Sequence, residues 1–274
     1  MRAYVIDTGY LRCDLSSTVL NPHMATVDDP NPDVEWTTIP VYAVLVDTGD
    51  RRILFDTGCH PDAVDERWSE SQKAGTPFFR TDEQKLVNAL GRIGYQPSDI
   101  DAVVVSHLHL DHSGGIEFFP DSEIYVHDAE LKGALALYAQ RAEEPMGPYV
   151  VKDIEKWLSL PLKWRPVTPD IDRIGLAPGV DIINFGPGHA FGNLGLHLSL
   201  EKTGDYIIAS DAVNRAVNYG PPVRPNGEAH DTVGYRSTVG AIRRRSTEEG
   251  ATVWFSHDPE QFATMTLSDD GFYE

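Results

Sequence analysis

Short aliphatic and β-branched runs, each closed by turn residues, recur along the chain. Ala3 to Ile6, Val41 to Val46, Arg52 to Phe55, Ala102 to Val105 and Glu123 to Val126 read as strands in the first half. Asp47-Thr48-Gly49-Asp50 has the composition of a hairpin turn between the second and third. In the second half Val180 to Phe185, Leu194 to Leu200, Tyr206 to Ala209 and Ala251 to Phe255 repeat the style. The middle run alternates Leu194, Leu196, Leu198 and Leu200 with Gly195, His197 and Ser199, which makes one face apolar. Helical spacing is clearest in three places. Thr81 with Gln84 forms a capping-box signature ahead of Leu86, Leu90 and Ile93, and two further helices are expected at Ala129 to Gln140 and Asp231 to Glu249. Strands pairing as hairpins in each half, with helices outside, predict an α+β fold of two packed sheets flanked by helices, in a single domain over residues 1–274.

Two stretches break the pattern. Residues 15–38 hold no period and are interrupted by Pro22, Pro30 and Pro32, so a long irregular loop is expected there. Residues 141–170 carry Met146, Tyr149, Trp157 and Trp164 and read as a helical insertion with an apolar inner face.

Composition narrows the function classes. The 274 residues carry 42 acidic against 23 basic side chains, a formal net charge of -19, which repels phosphate backbones and argues against a nucleic-acid partner. Two cysteines, Cys13 and Cys59, make no disulfide framework and fit a reducing compartment, so a cytoplasmic protein is expected. Arg2 to Ile6 ends at Asp7, too soon for a signal segment, and no apolar run reaches membrane-spanning length, so no membrane partner is expected.

The chemistry gathers where the fourth strand ends. After Val105 come Ser106, His107, His109, Asp111 and His112, then Gly114 and Gly115. Residues two apart in an extended segment point to one side, so His107 and His109 aim at one point; past Leu110 the chain turns and Asp111 with His112 face a second. Imidazole and carboxylate at this density are ligands for borderline metal ions. Three later strand ends repeat the motif: His189 after Gly186-Pro187-Gly188, Asp211 after Ser210, and His257 after Ser256.

The ordered set His-x-His-x-Asp-His, Gly188-His189, Ser210-Asp211 and Ser256-His257-Asp258 resembles the metallo-β-lactamase superfamily. Its spacings, 22 residues from His189 to Asp211 and 46 from there to His257, are similar to the lactonase branch, the N-acyl-homoserine lactonases and 4-pyridoxolactonase. The resemblance runs from the Asp47 hairpin to the end and includes Asp56-Thr57-Gly58 and Gly271-Phe272-Tyr273. It implies an αββα sandwich with two divalent metal ions at one edge, zinc first, with manganese, iron and cobalt also compatible with these ligands. By the resemblance His107, His109 and His189 hold one ion, Asp111, His112 and His257 the other, and Asp211 bridges them. Asp56 orients a ligand. A bridging hydroxide would then open a lactone ring, with Asp111, Asp211 and Asn214 as the residues closest to the chemistry.

The acyl-homoserine lactonases usually place a tyrosine three residues after the bridging aspartate, where this chain has Asn214. Asn214 is expected to donate to the developing oxyanion, with Tyr219, His230 and Tyr235 as substitutes. Hydrophobic pocket walls are expected from Met24 and Trp36 of the irregular loop and from Tyr149 and Trp157 of the insertion, with His60 and His230 nearby. The expected substrate is therefore a lactone with a hydrophobic part. The alternative is a thioester hydrolase of the glyoxalase II type, or another ester or phosphoester hydrolase of this fold. Gly188-His189-Ala190 departs from the glyoxalase II pattern Thr-x-Gly-His-Thr. A homodimer through the 15–38 loop is also expected.

Overall fold

Twelve strands build two facing sheets in the computed structural model, which describes residues 1–140 and 147–274. In chain order they are β1 (Arg2–Asp14), β2 (Trp36–Asp47), β3 (Arg52–Phe55), β4 (Phe78–Phe79), β5 (Ala102–Val104), β6 (Glu123–His127), β7 (Lys163–Val167), β8 (Arg173–Ala177), β9 (Val180–Gly186), β10 (Asn193–Leu200), β11 (Gly204–Ser210) and β12 (Thr252–Phe255). The first sheet runs β4-β1-β2-β3-β5-β6-β7 and the second β12-β11-β10-β9-β8. Both are mixed. β1, β2 and β3 pair antiparallel, β3, β5, β6 and β7 parallel; in the second sheet β11 and β12 are the parallel pair.

Three apolar layers follow from the alternation of side chains across each strand. Between the sheets, Val5, Val44 and Val104 meet Ile182, Leu196 and Ile208. On the outer face of the first sheet, Leu45, Leu54 and Val103 pack against Leu90 of helix Leu86–Arg92, Ala134 of helix Asp128–Ala139 and Ile154 of helix Val151–Ser159. On the outer face of the second, Ile183 and Ile207 pack against Tyr235, Val239 and Ile242 of helix Thr232–Glu249. Central strands such as β2 are buried on both faces, which is why their sequence is an unbroken apolar run.

Four expectations change. β1 continues past Ile6 to Asp14, because a register shift between Asp7 and Gly9 lets Tyr10 to Asp14 keep pairing with β2. The irregular stretch is shorter than 15–38: Leu15–Thr18 is one helical turn and β2 already begins at Trp36. The Thr81 and Gln84 pair is formed on one side, Thr81 N donating to Gln84 Oε1 at 2.8 Å, but the helix itself starts at Leu86. The described part of the 141–170 segment, residues 147–170, is no pure helical insertion. Helix Val151–Ser159 leads into β7, an edge strand of the first sheet, and Met146 lies outside the described residues.

Every chemically marked turn falls at one edge of the sandwich. Asp56 follows β3, residues 106–112 follow β5, His189 follows β9, Asp211 follows β11 and His257 follows β12.

Candidate metal centre and its cavity

The loop after β5 is forced into a tight path by its glycines. A Cβ at Gly114 would stand 2.1 Å from His60 N, so the His-x-His-x-Asp-His turn lies directly on the 57–60 segment. Thr57 N donates to His112 O at 2.7 Å and Gly114 N to Gly58 O at 2.9 Å. This brings His107 and His109 to a ring separation of 4.3 Å and His107 and His112 to 4.2 Å.

All seven expected ligands converge and all are buried. His107, His109 and His189 bring one ligand atom each to within 4.8 Å of one another; so do His107, His112 and Asp211, and so do Asp111, His112 and His257. Asp211 stands between the groups. Its Oδ2 lies 3.1 Å from His189 Nε2 and 4.0 Å from His107 Nε2, and its Oδ1 lies 3.1 Å from His257 Nε2 and 3.4 Å from His112 Nε2. His257 Nε2 is also 3.3 Å from Asp111 Oδ2. His107 Nε2, His112 Nε2 and Asp211 Oδ1 are buried without a hydrogen-bond partner. Orphaned inward-facing donors and acceptors of this kind are what a cation satisfies, so the residue set fits a pair of divalent ions.

Electrostatics divides the cluster. Burial would push the Asp211 carboxyl up, but His257, His189 and His112 outweigh it and hold it well below the usual carboxylate range. Burial, with the neighbouring imidazoles, drives His107 and His109 well below an ordinary histidine, so they stay neutral ligands. Burial acts the same way on His112, where Asp111, Asp211 and Asp56 reverse it and raise the imidazole.

A second layer fixes the imidazoles. Asp56, at φ 60°, accepts from His112 Nδ1 at 2.8 Å, from Ser106 N at 2.7 Å and from Ser106 Oγ at 2.9 Å. Ser210, at φ 47°, donates to Ser106 Oγ at 2.8 Å. Two non-glycine residues in the left-handed region, both in this network, mark strain held at the site. His257 Nδ1 donates to Pro40 O at 2.9 Å, leaving Nε2 for the cluster.

Two groups had no sequence signal. Glu130, fully buried on helix Asp128–Ala139, accepts from Leu108 N at 2.8 Å, Tyr149 OH at 3.0 Å and Gly192 N at 3.3 Å, tying the two His-bearing loops together. Asn226 bridges His189 and Asn214.

A cavity of about 450 Å³ opens on the cluster, bounded at its base by His109, Asp111, His189, Asp211 and His257. Its upper wall includes Leu11, Ile39, Leu110, Gln72, Pro148 and Glu228, and Asn214 also lines it. Among the described residues the wall holds no lysine or arginine.

The expected walls are therefore corrected. Met24 and Trp36 line no part of the cavity; Met24, on the irregular stretch, is 71% exposed, and Trp36, at the start of β2, is 45% exposed. Trp157 is a core residue against Trp164, their rings 6.1 Å apart. Tyr149 lies behind the site with its ring 4.9 Å from that of His109. Tyr219 packs on Phe255, and His230 packs on Phe191 while its backbone N donates to His189 O at 3.0 Å. His60 is buried beside Arg67 and Glu117, behind the loop rather than in the cavity. Tyr235 OH reaches Asn214 Oδ1 at 3.4 Å.

An αββα sandwich carrying two His/Asp groups joined by one carboxylate at its edge is the architecture of a metal-binding enzyme domain. The chain belongs to the metallo-β-lactamase superfamily, whose family profile matches residues 36–257. It is 41% identical over 275 residues to N-acyl homoserine lactonase AiiB of Agrobacterium fabrum, covering 100% of this chain and 99% of that protein. It is 29% identical over 230 residues to an N-acyl homoserine lactonase of a Bacillus species, covering 83% and 84%. Among solved structures it superposes with a TM-score of 0.80, at 25% identity and over 100% and 98% of the two chains, on an N-acyl homoserine lactone hydrolase with N-hexanoyl-L-homoserine bound at its catalytic metal centre.

Proposed function

We propose that the protein is a metal-dependent lactonase that opens N-acyl homoserine lactones, or a related lactone with an apolar part. The observation that carries this reading is Asp211, whose two carboxylate oxygens face opposite halves of a seven-residue ligand set at the base of the cavity. Its relatives' activity supports the same conclusion.

Bound there, a pair of divalent ions makes hydroxide available at neutral pH and polarises a carbonyl oxygen. His107, His109, His189 and Asp211 would hold one ion; Asp111, His112, His257 and Asp211 the other. The protein's part is orientation. Asp56 and Pro40 O fix which nitrogen His112 and His257 turn inward. Leu11, Ile39 and Leu110 exclude water beside the acyl part of a substrate. The absence of a cationic side chain among the described wall residues suits a neutral ring over a phosphoester.

Zinc is the ion we assign first, on the imidazole-rich ligand set. Two free, buried cysteines support a cytoplasmic setting, and the acidic surface supports the absence of a nucleic-acid partner. Among the described residues no helix is long and apolar enough to cross a membrane. The exposed Met24, Val27, Val34 and Trp36 support a homodimer through the 15–38 stretch, which sedimentation of the parent and a Val27→Asp variant tests. Activity is tested by titrating the acid released from a panel of lactones, thioesters and phosphoesters; ring opening of lactones is the expected outcome, and turnover confined to the other two classes overturns the assignment.

A further inference from the structure

His189 turns Nε2 toward the ligand cluster, 3.1 Å from Asp211 Oδ2 and 2.9 Å from His109 Nδ1. Its other nitrogen, Nδ1, faces the carboxamide of Asn226, which is fully buried. Asn226 Nδ2 lies 2.7 Å from Asn214 Oδ1 as well, and Asn214 lines the cavity. The three residues form one hydrogen-bonded chain from behind the ligand cluster to the cavity wall.

The sense of that chain follows from where His189 keeps its proton. As placed, Asn226 Nδ2 donates to both His189 Nδ1 and Asn214 Oδ1, while Asn226 Oδ1 is buried without a partner. This arrangement suits an imidazole protonated on Nε2 and donating to His109 Nδ1. Coordination through Nε2 puts the proton on Nδ1, and a ligating histidine needs an acceptor there. The carboxamide of Asn226 is the group in reach. The oxygen and nitrogen of a carboxamide exchange places by a half turn, so hydrogen-bond matching decides between them.

We propose that ion binding reverses this chain: Asn226 Oδ1 accepts from His189 Nδ1–H, Asn214 turns so that its Nδ2 donates to Asn226 Oδ1, and Asn214 Oδ1 then faces the cavity. Asn214 in the loaded protein is an acceptor toward substrate and offers no hydrogen to an oxyanion. It matches the amide N–H of an N-acyl lactone, which makes it a recognition group, with Asn226 the positioning residue behind it. The role expected for Asn214 from the sequence is reversed in sign.

This inference rests on the metal reading above, and ion affinity separates the two. Affinity is measured by chelator competition on the parent, Asn226→Asp and Asn226→Leu, with folding followed by thermal unfolding of the ion-free chains. Asp keeps an acceptor for His189 Nδ1–H and Leu removes it, so Leu should weaken binding by about 10- to 100-fold while Asp stays near the parent. If Leu fails to fold, Asn226→Ala takes its place. A parent that binds no ion defeats the metal reading itself. An Asp variant as weak as Leu, or a Leu variant as tight as the parent, overturns the reversal alone. For the cavity end, Asn214→Ala should raise KM for an N-acyl lactone more than for an amide-free lactone of equal size. A fall in kcat of the same factor on both would restore the donor role and overturn the proposal.

Discussion

His112 Nδ1 and Asp56 Oδ2 stand 2.8 Å apart, joining the loop after β5 to the loop after β3. The same carboxylate accepts from Ser106 N and Oγ, so one buried aspartate sets both the tautomer of a ligand histidine and the start of the ligand loop. Asp56→Ala should therefore weaken ion binding by about 10- to 100-fold. Chelator competition checks it; an unchanged affinity would reduce Asp56 to a turn residue.

Asp211 is the residue with the broadest effect. Because each of its oxygens serves a different half of the cluster, Asp211→Ala should lower ion content below that of any single-histidine variant. Elemental analysis of the variants side by side makes the comparison, and an Asp211→Ala chain with undiminished ion content would contradict the bridging geometry.

The cavity wall predicts chain-length selectivity. Leu11 and Ile39 face the cavity, while Trp36 is 45% exposed on the surface beyond it. Ile39→Ala should lower kcat/KM for long-chain lactones by about tenfold relative to short ones, within the range a few methylenes contribute. Trp36→Ala should leave the chain-length profile unchanged. Steady-state kinetics across a homologous series distinguishes the two walls.

Burial pushes the carboxyl of Glu130 up to about 7, against the opposing hydrogen bonds from Leu108, Tyr149 and Gly192. The folded chain thus holds that proton more tightly than the unfolded chain, whose glutamate titrates near 4.5. Stability from this group is complete below about 4.5 and falls as pH rises toward about 7. Glu130→Gln removes the titration. The Tm of the Gln variant relative to the parent, both saturated with ion, should rise between pH 5 and pH 7 and then level. A flat difference would place the Glu130 proton elsewhere.

The convergence of the seven expected ligands was legible because four of them sit within six residues, and the others each close a strand at the same sandwich edge. The doubly buried strands were legible for the same reason: β2 and β10 carry their apolar pattern locally. Edge strands carry no such pattern. β7 reads Lys163, Trp164, Arg165, Pro166 and Val167, mostly solvent-facing and with a proline that only an edge tolerates, so it passed for part of a helical segment. The second half of β1 was hidden by Gly9, whose φ of 119° bends the strand where a Cβ would meet Phe79 O at 2.6 Å. The cavity walls had no local signature at all. Leu11, Ile39, Gln72, Pro148 and Glu228 come from five separate segments and meet through the fold. The two wall residues expected from residues 15–38 were misleading, since Met24 and Trp36 face outward.

Lactone ring opening, followed while zinc is titrated back into ion-stripped protein, tests the dinuclear lactonase reading itself. Turnover should be negligible without ions and rise to saturation at about two equivalents per chain, as expected of a dinuclear hydrolytic site. Full turnover in the stripped protein, or none on any lactone at saturation, would contradict that reading.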